Sequence, residues 1–253
     1  MNVRMIHAEL LRLRKHRGLF WWSIVLTTGA VAALYMLMLG FHLNDPVNHG
    51  PAGGTENLQR GLWVLSMVGG VAAAIVGATA GTADTSSGVF RDLVVTGRSR
   101  TALFASRVAG AVAFWVPLMV AAYATMMVLT FALAAGTATP AVAVIAKDGA
   151  WVLAVTTVML LGALGISAAI GSRGISIGVI LGWQLAVSQV LEEVHVLGVT
   201  REALLTAAAT RLEPASGAAV LVPMSVAAAV VALAGWTLVP LLAGAWRTRT
   251  RDA

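Results

Sequence analysis

Six apolar runs, separated by short polar segments, limit what this chain can fold into. Each run approaches or exceeds the roughly 20 residues that an α-helix needs to cross a bilayer. Backbone amides in lipid have no water to bond, so such segments are expected to be helical. The sequence therefore predicts an all-α integral membrane protein, one transmembrane domain over residues 1–253. The predicted transmembrane helices lie at about 19–41, 61–81, 108–135, 150–171, 175–197 and 222–245.

The composition argues against a soluble protein. Hydrophobic residues make up 58% of the chain and charged residues 11%, whereas soluble domains carry about 25% charged residues. So little polar surface cannot cover a core in water. The net charge is +6, but no basic tract with interleaved aromatic residues is present, so we expect no nucleic-acid partner. The chain has no cysteine, which excludes disulfides and thiolate ligands.

Basic residues are divided unevenly between the two sides of the predicted bundle. Thirteen of the 17 Lys and Arg residues fall in the N-terminal tail, the 82–107 loop, the turn at Arg173 and the C-terminal tail. Because basic loops favour the cytoplasmic side, we expect both termini and the 82–107 loop in the cytoplasm. Residues 198–221 are expected to form an extracellular or partly re-entrant helical segment. The acidic residues predicted outside are Asp45, Glu56, Asp148, Glu192, Glu193, Glu202 and Glu213.

Residues 1–18 are amphipathic. Val3, Ile6, Leu10 and Leu13 recur at three- and four-residue spacing, which places them on one face of a helix. The basic residues around them predict an N-terminal interfacial helix that lies on the membrane lipid. The alternative, the basic start of a signal peptide, is disfavoured because the apolar run that follows is too long.

The 82–107 loop is the only long polar segment with a dense basic cluster. Asp84, Thr85 or Ser86 can cap a short helix there, and Gly97 can end it. The helix would carry apolar and charged side chains next to one another: Val89, Phe90, Arg91, Asp92, Leu93 and Val94. We expect a helix lying flat between the second and third transmembrane helices, held by another protein.

Small residues at four-residue spacing predict close helix contacts in lipid. Gly77 and Gly81 form one pair, and Gly174, Gly178 and Gly182 form a tandem on one face of the fifth transmembrane helix. A single pair arises easily by chance in a glycine-rich chain, so the tandem is the stronger signal for a helix-packing or dimer interface. Four residues of the same helix can line a path or bond to neighbouring helices: Trp183, Gln184, Ser188 and Gln189.

The chain lacks a recognisable energy source. Lys15 and Lys147 are its only lysines, and neither lies in the GxxxxGK[ST] pattern that wraps phosphates. The middles of the predicted transmembrane helices carry no Asp, Glu, Lys, Arg or His, which disfavours proton or sodium coupling.

The sequence contains weak signals for a catalytic serine and for a metal site. Ser167, in the sequence Gly-Ile-Ser-Ala, is similar to the serine motif of an intramembrane protease, but the last apolar run offers no histidine base. Glu192, Glu193 and His195 form a cluster with too few ligands for a metal ion. We therefore expect no catalytic residue, metal or cofactor in this chain.

The topology and the 82–107 loop resemble the permease subunits of the ABC type-2 exporter family. The resemblance starts with a basic N-terminal helix that contains Glu9. The loop sequence GVFRDL from Gly88, followed by GRSR from Gly97 and by Arg107, is similar to that family's glycine–x–x–arginine and small–Ser–Arg pattern. The topology covers the whole chain, and the motif covers about two dozen residues.

The resemblance implies a bacterial plasma-membrane complex. Two identical or homologous permeases would pair, with Gly174, Gly178 and Gly182 near the dimer axis, and each would dock on a separate ABC ATPase that binds ATP and Mg. The short loop helix would be the coupling helix, and the first, second and fifth transmembrane helices would line the path. The implied ATPase interface consists of Glu9, Arg12, Asp84, Ser87, Val89, Phe90, Arg91, Asp92, Leu93 and Val94.

The sequence thus predicts the permease subunit of an ATP-driven exporter, which moves an amphiphilic, drug-like or lipid-like substrate such as an antibiotic out of the cell. The apolar character of the transmembrane helices suggests this cargo. The alternative is a membrane scaffold or sensor subunit that binds partners without transporting.

Overall fold

A computed structural model describes residues 3–86, 99–214 and 221–250, the side chains of 84–86 excepted. Within these ranges the chain is helical and contains no strand. The helices are α1 (Val3–Lys15), α2 (Arg17–Asn44), α3 (Gly54–Ser86), α4 (Arg100–Ala132), α5 (Val142–Ile170), α6 (Arg173–Glu193), α7 (Leu205–Leu212) and α8 (Val226–Thr250). A 3-10 segment, His195–Ala203, joins α6 to α7.

Six of these helices, α2 to α6 and α8, are long and apolar enough to cross a membrane. Several extend beyond the apolar runs that mark them in the sequence. α3, for example, begins at Gly54 and includes the exposed pair Glu56 and Arg60, 3.8 Å apart one turn from each other. A helix can continue into water as long as its backbone bonds are kept, so its bounds differ from those of its apolar stretch.

Local signals set the helix ends. Ser99 caps α4, because its Oγ accepts a hydrogen bond from the amide of Ala102 at 3.2 Å. Gly171 ends α5 in the left-handed conformation, with φ of 81°, and its amide donates to the Ser167 carbonyl at 2.8 Å. Glycine adopts this conformation without a Cβ penalty. α6 then starts at Arg173, so α5 and α6 form a tight hairpin.

α5 lies at the centre of the bundle, with α3 on one side and α8 on the other. The α3 contact depends on Gly77 and Gly81, where an added Cβ would overlap the carbonyl oxygens of Leu160 and Leu164. Gly165 makes the α8 contact in the same way, against the backbone of Pro240. Small residues let helix backbones approach closely where lipid supplies no hydrophobic force between helices.

Buried side-chain hydrogen bonds join specific pairs of these helices. Trp115 of α4 is fully buried and donates its Nε1–H to Thr156 Oγ1 of α5 at 3.3 Å. Tyr35 of α2 shares a hydrogen bond of 2.6 Å with Thr130 of α4. Such bonds fix which faces of the helices meet, because a polar group without a partner is costly in an apolar interior. The core therefore lies among α2, α3, α4 and α5.

Candidate functional site

The N-terminal helix α1 is packed against the bundle through Glu9. A Cβ added at Gly110 of α4 would come within 2.6 Å of Glu9 Cβ. Arg12 donates to the carbonyl of Ala83, near the end of α3, at 2.5 Å, and its guanidinium lies 3.9 Å from the Glu9 carboxylate. Glu9 and Arg12 thus join α1 to α3 and α4. We refer to this end of the bundle as the α1 end.

Arg107 was predicted at the end of the 82–107 loop, but it lies in α4, beneath α1. It is 2% exposed. Residues three apart share a helix face, so Arg107 lies on the face of α4 that carries Gly110 and that α1 covers. An arginine next to an apolar run is the sequence signal that could have identified this position, because charged side chains are rarely fully buried unless they are paired.

The predicted ATPase interface falls mostly outside the described residues. This is the case for Ser87, Val89, Phe90, Arg91, Asp92, Leu93 and Val94. Asp84 belongs to α3, but its side chain is not described. Glu9 and Arg12 are described, and they make the internal contacts given above. Their contact with an ATPase stays a prediction.

The glycine face of α6, formed by Gly174, Gly178 and Gly182, contacts no other helix of the described chain. A Cβ added at any of the three would meet no atom within 4 Å. The opposite side of α6 is buried, with Ser176 and Ile180 packed into the bundle. α6 therefore uses one side for the bundle and leaves its glycine face open.

An apolar cavity of about 370 Å³ lies beside this face, between α5, α6 and α8. The rings of Trp183 and Trp236 are 6.1 Å apart in its wall. Trp236 donates its Nε1–H to the carbonyl of Ala203 at 2.8 Å. The Nε1–H of Trp183 is buried and has no hydrogen-bond partner in the structure.

The short helix α7 lies among the long helices. Trp236, which donates its Nε1–H to the Ala203 carbonyl, is the eleventh of the 25 residues of α8. Trp151 of α5 donates to the carbonyl of Ala209 at 2.9 Å, and Ala208 is fully buried. The segment before α7 thus returns to the middle of α8, as expected of a partly re-entrant helix. We refer to this end of the bundle as the α7 end.

Polar contacts hold α7 in place. Thr206 donates to the carboxylate of Glu192 at the end of α6. The Nη1 of Arg201 donates to the Glu192 carbonyl at 2.9 Å, and the Nε of Arg211 donates to the Met224 carbonyl at 2.7 Å. These bonds connect the segment from Arg201 to Arg211 to the end of α6 and to the residues just before α8.

A groove of about 390 Å³ opens at the α7 end, between α3, α5, α6 and α7. Its polar lining residues are Ser66, Thr156, Gln184, Gln189, Glu192, Thr206, Thr210 and Glu213. Trp63 and Trp151 add aromatic faces. No Lys, Arg or His is among the described residues that line it. The groove therefore combines apolar walls with acidic and amide groups, as sites for small amphiphilic molecules do.

The predicted path residues divide between the two cavities. Gln184 and Gln189 line the groove, and Trp183 lines the apolar cavity, which Gln184 also reaches. Ser188 faces the bundle interior instead: it is fully buried and its Oγ donates to the Gln184 carbonyl at 2.9 Å. Whether any of them lines a transport path stays a prediction.

Asp148 lies inside α5, and not in a loop as the apolar runs suggested. It is fully buried, and neither carboxylate oxygen has a hydrogen-bond partner in the structure. Its neighbour Gly149 packs against the ring of Tyr123, whose hydroxyl donates to the Ile145 carbonyl at 2.7 Å. Pro140, just before the helix, could have shown that α5 begins there, since proline is favoured near a helix start.

Two acids outside the transmembrane helices have pKa values that depart from the ordinary range in opposite directions. Burial raises the pKa of Glu213, and the nearby charge of Asp148 raises it further. Hydrogen bonds from the side chain and the amide of Asn48 lower the pKa of the exposed Asp45. Glu213, at the groove, therefore holds its proton more readily than a solvated acid.

No known protein-family model matches this sequence, and no curated protein matches it. Within the described ranges, no group of three or more His, Asp or Glu side chains could hold a metal ion. The features of this chain that bear on function are its sequence pattern, the groove, the glycine face and α1.

Proposed function

We propose that this chain is the membrane-spanning permease subunit of an ATP-driven exporter of the ABC type-2 kind. The observation that carries the proposal is the groove, which offers polar and aromatic groups within an otherwise apolar bundle. It suits a molecule that is itself partly apolar. α3 and α6, the second and fifth transmembrane helices, supply two of its walls, as the family resemblance implies for a transport path.

The α1 end of the bundle faces the cytoplasm in this proposal. Basic residues from three helices meet there. The side chain of Arg100, at the start of α4, donates to the carbonyl of Arg249, near the end of α8, at 3.0 Å. Arg14 and Lys15 of α1 are exposed close to the same end. A concentration of basic residues at one end is typical of the cytoplasmic side.

α3 provides the mechanical connection between an ATPase and the groove. The helix is 33 residues long. Ala83, near one end, is held by Arg12 of α1, while Trp63 and Met67 line the groove near the other end. The predicted coupling helix directly follows α3 in sequence. A displacement there would move α3 as a unit and change access to the groove, as alternating access requires.

The glycine face of α6 is the surface for a second permease. Close helix contact needs small residues on at least one side, and this face has three that no helix of the described chain covers. A partner helix there would also close the apolar cavity that Gly178 and Gly182 line. The complex would then contain two permeases, two ATPases and surrounding lipid.

The direct test is purification of the tagged chain from its native membrane in mild detergent, with each co-purifying protein identified by sequencing. We expect a stoichiometric partner that carries a P-loop. Charge reversal at Arg91 and Asp92 should remove that partner while the chain still inserts, and reversal of Arg14 serves as the control. A chain purified alone, or with proteins that lack a P-loop, would contradict the proposal and favour a scaffold.

A further inference from the structure

The groove at the α7 end has acidic lining residues and no described basic one. Glu192, only 7% exposed, and Glu213 both line it, and no basic residue is among its described lining residues. The neighbouring residues 215–220, which the structure does not describe, have no charged side chain in the sequence. The excess of acid therefore belongs to the groove itself.

Asp148 lies on α5, which forms one wall of the groove. Its carboxylate is fully buried, and neither oxygen has a hydrogen-bond partner among the described residues. A buried carboxylate normally has a partner, because desolvation of an isolated charge is expensive. The described residues that line the groove thus supply no positive charge to its acids.

The basic side chains nearest in sequence do not supply that charge. Arg201 donates to the backbone carbonyls of Glu192 and Gly198, and the Nε of Arg211 donates to that of Met224. Lys147 is exposed. In the part of the chain that the structure describes, neither Glu192 nor Glu213 forms an ion pair with any of them.

Two tryptophans give the groove a second feature of a cation site. Trp63 is 60% exposed at its edge, and Trp151 is held in its wall by the bond from its Nε1–H to Ala209. The face of an indole ring attracts a cation through its quadrupole, most strongly where water is excluded. The rings also offer flat apolar surface to the body of an amphiphile.

We propose that the groove binds an organic cation, an amphiphile with one positive charge and an apolar body. Glu213 is its counter-ion, with Glu192 beside it, and Trp63 and Trp151 contact the apolar part. This inference rests on the proposed function and names the substrate class for the same site.

Tetraphenylphosphonium and tetraphenylborate test the charge directly, since they have nearly the same shape and apolar surface and opposite charge. Equilibrium dialysis of the purified full-length chain in mild detergent, with detergent-only dialysis as the blank, measures the binding of each. We expect saturable binding of one phosphonium ion per chain, at least about tenfold tighter than that of the borate. Equal binding of both ions would overturn the inference.

Variants locate the site. Glu213→Gln should weaken phosphonium binding about tenfold, as loss of a charged partner does, whereas Glu213→Asp should largely retain it. Glu193→Gln, an exposed acid next to Glu192 that does not line the groove, should leave binding unchanged. Thermal unfolding confirms that each variant is folded. Unchanged binding to a folded Glu213→Gln chain would place the ion elsewhere and overturn the assignment.

These outcomes are separable from those of the proposed function, because dialysis of the isolated chain needs no ATPase. If the chain co-purifies with a P-loop protein but binds both ions equally, the exporter proposal stands and the proposal of a cationic substrate is wrong. If the chain prefers the phosphonium ion but has no ATPase partner, the proposed binding site stands and the exporter proposal is wrong.

Discussion

The two glycine motifs of this chain have opposite surroundings. Gly77 and Gly81 of α3 lie against the carbonyls of α5 with no room for a side chain, whereas Gly174, Gly178 and Gly182 of α6 meet no atom within 4 Å of an added Cβ. By spacing alone, the tandem of three is the stronger motif. The pair nevertheless makes the contact at the centre of the bundle, and the tandem makes none within the described chain.

The difference shows that a small-residue motif predicts a capacity for close contact and not the identity of its partner. In α3 the capacity is used inside the chain, where α5 passes next to it. In α6 no helix of the described chain covers the glycine face, which is the surface proposed above for a second permease. The two motifs should therefore respond differently to the same substitution.

The largest effect is expected from Gly77→Leu. The new side chain would collide with the backbone of α5, and overpacking typically costs about 1–3 kcal/mol, or more where backbone atoms must move. We expect severe loss of folded chain, measured as the monodisperse yield after detergent extraction. Gly235→Leu on α8 is the matched control, since its added Cβ meets nothing within 4 Å. Equal yields for both variants would contradict the conclusion that Gly77 is packed against α5 while Gly235 is not.

A smaller effect on the fold, and a large one on assembly, is expected from Gly178→Leu. The isolated chain should fold with unchanged thermal stability, because no neighbouring atom is displaced. Its self-association, measured by light scattering during size-exclusion chromatography, should fall by at least about tenfold.

The absence of cysteine allows a second readout of the same surface. A single cysteine at position 178 should form a disulfide-linked dimer in membranes, and one at position 235 should not. A Gly178→Leu chain that dimerises normally, or cross-linking that is equal at both positions, would assign the glycine face to lipid.

Arg12 tests a packed contact of intermediate strength. Arg12→Gln removes the charge from the bond to the Ala83 carbonyl and from the contact with Glu9, for an expected cost of about 1 kcal/mol. Limited proteolysis should then cut within α1 several-fold faster. Arg14→Gln, at an exposed position, is the control. Identical cleavage rates would mean that Arg12 does not anchor α1.

The smallest effect is expected from pH. The raised pKa of Glu213 means that its contribution to stability is complete below the pKa of the unfolded chain and is lost as pH rises through the raised value. Asp45, whose pKa is lowered, contributes above the unfolded value and loses this as pH falls. The fall in melting temperature as pH rises above the ordinary glutamate pKa should therefore be smaller in Glu213→Gln, and the fall as pH drops below the ordinary aspartate pKa should be smaller in Asp45→Asn. Curves that match the parent chain would contradict these assignments.

Much of the fold could be predicted from the sequence, because an apolar run of membrane-crossing length leaves few alternatives to a helix. The course of the 3-10 segment and α7 was only partly predictable: their helix signal is clear, but the Ala203–Trp236 contact joins residues far apart in sequence. The burial of Asp148 depended on where α5 begins, which apolar length alone does not show.

The groove could not be predicted, because it is made by three transmembrane helices and α7, which come together only in the fold. Gln184 and Gln189 stand out in the sequence as polar residues within an apolar run. Glu213 does not, because it lies in a polar connecting segment together with other acidic residues. Similarly, spacing placed Gly77 and Gly81 on one face without showing that α5 covers it. Sequence periodicity assigns faces, while the partner of each face depends on long-range packing.

ATP-dependent transport in reconstituted vesicles tests the central claim most directly. The complex of this chain with its co-purifying ATPase would be inserted into vesicles, and three fluorescent amphiphiles, one cationic, one neutral and one anionic, would be supplied on the side of the ATPase. We expect ATP, and not ADP, to drive accumulation of at least one of them inside the vesicles. An intact complex that hydrolyses ATP but moves none of the three would contradict a permease and favour a scaffold.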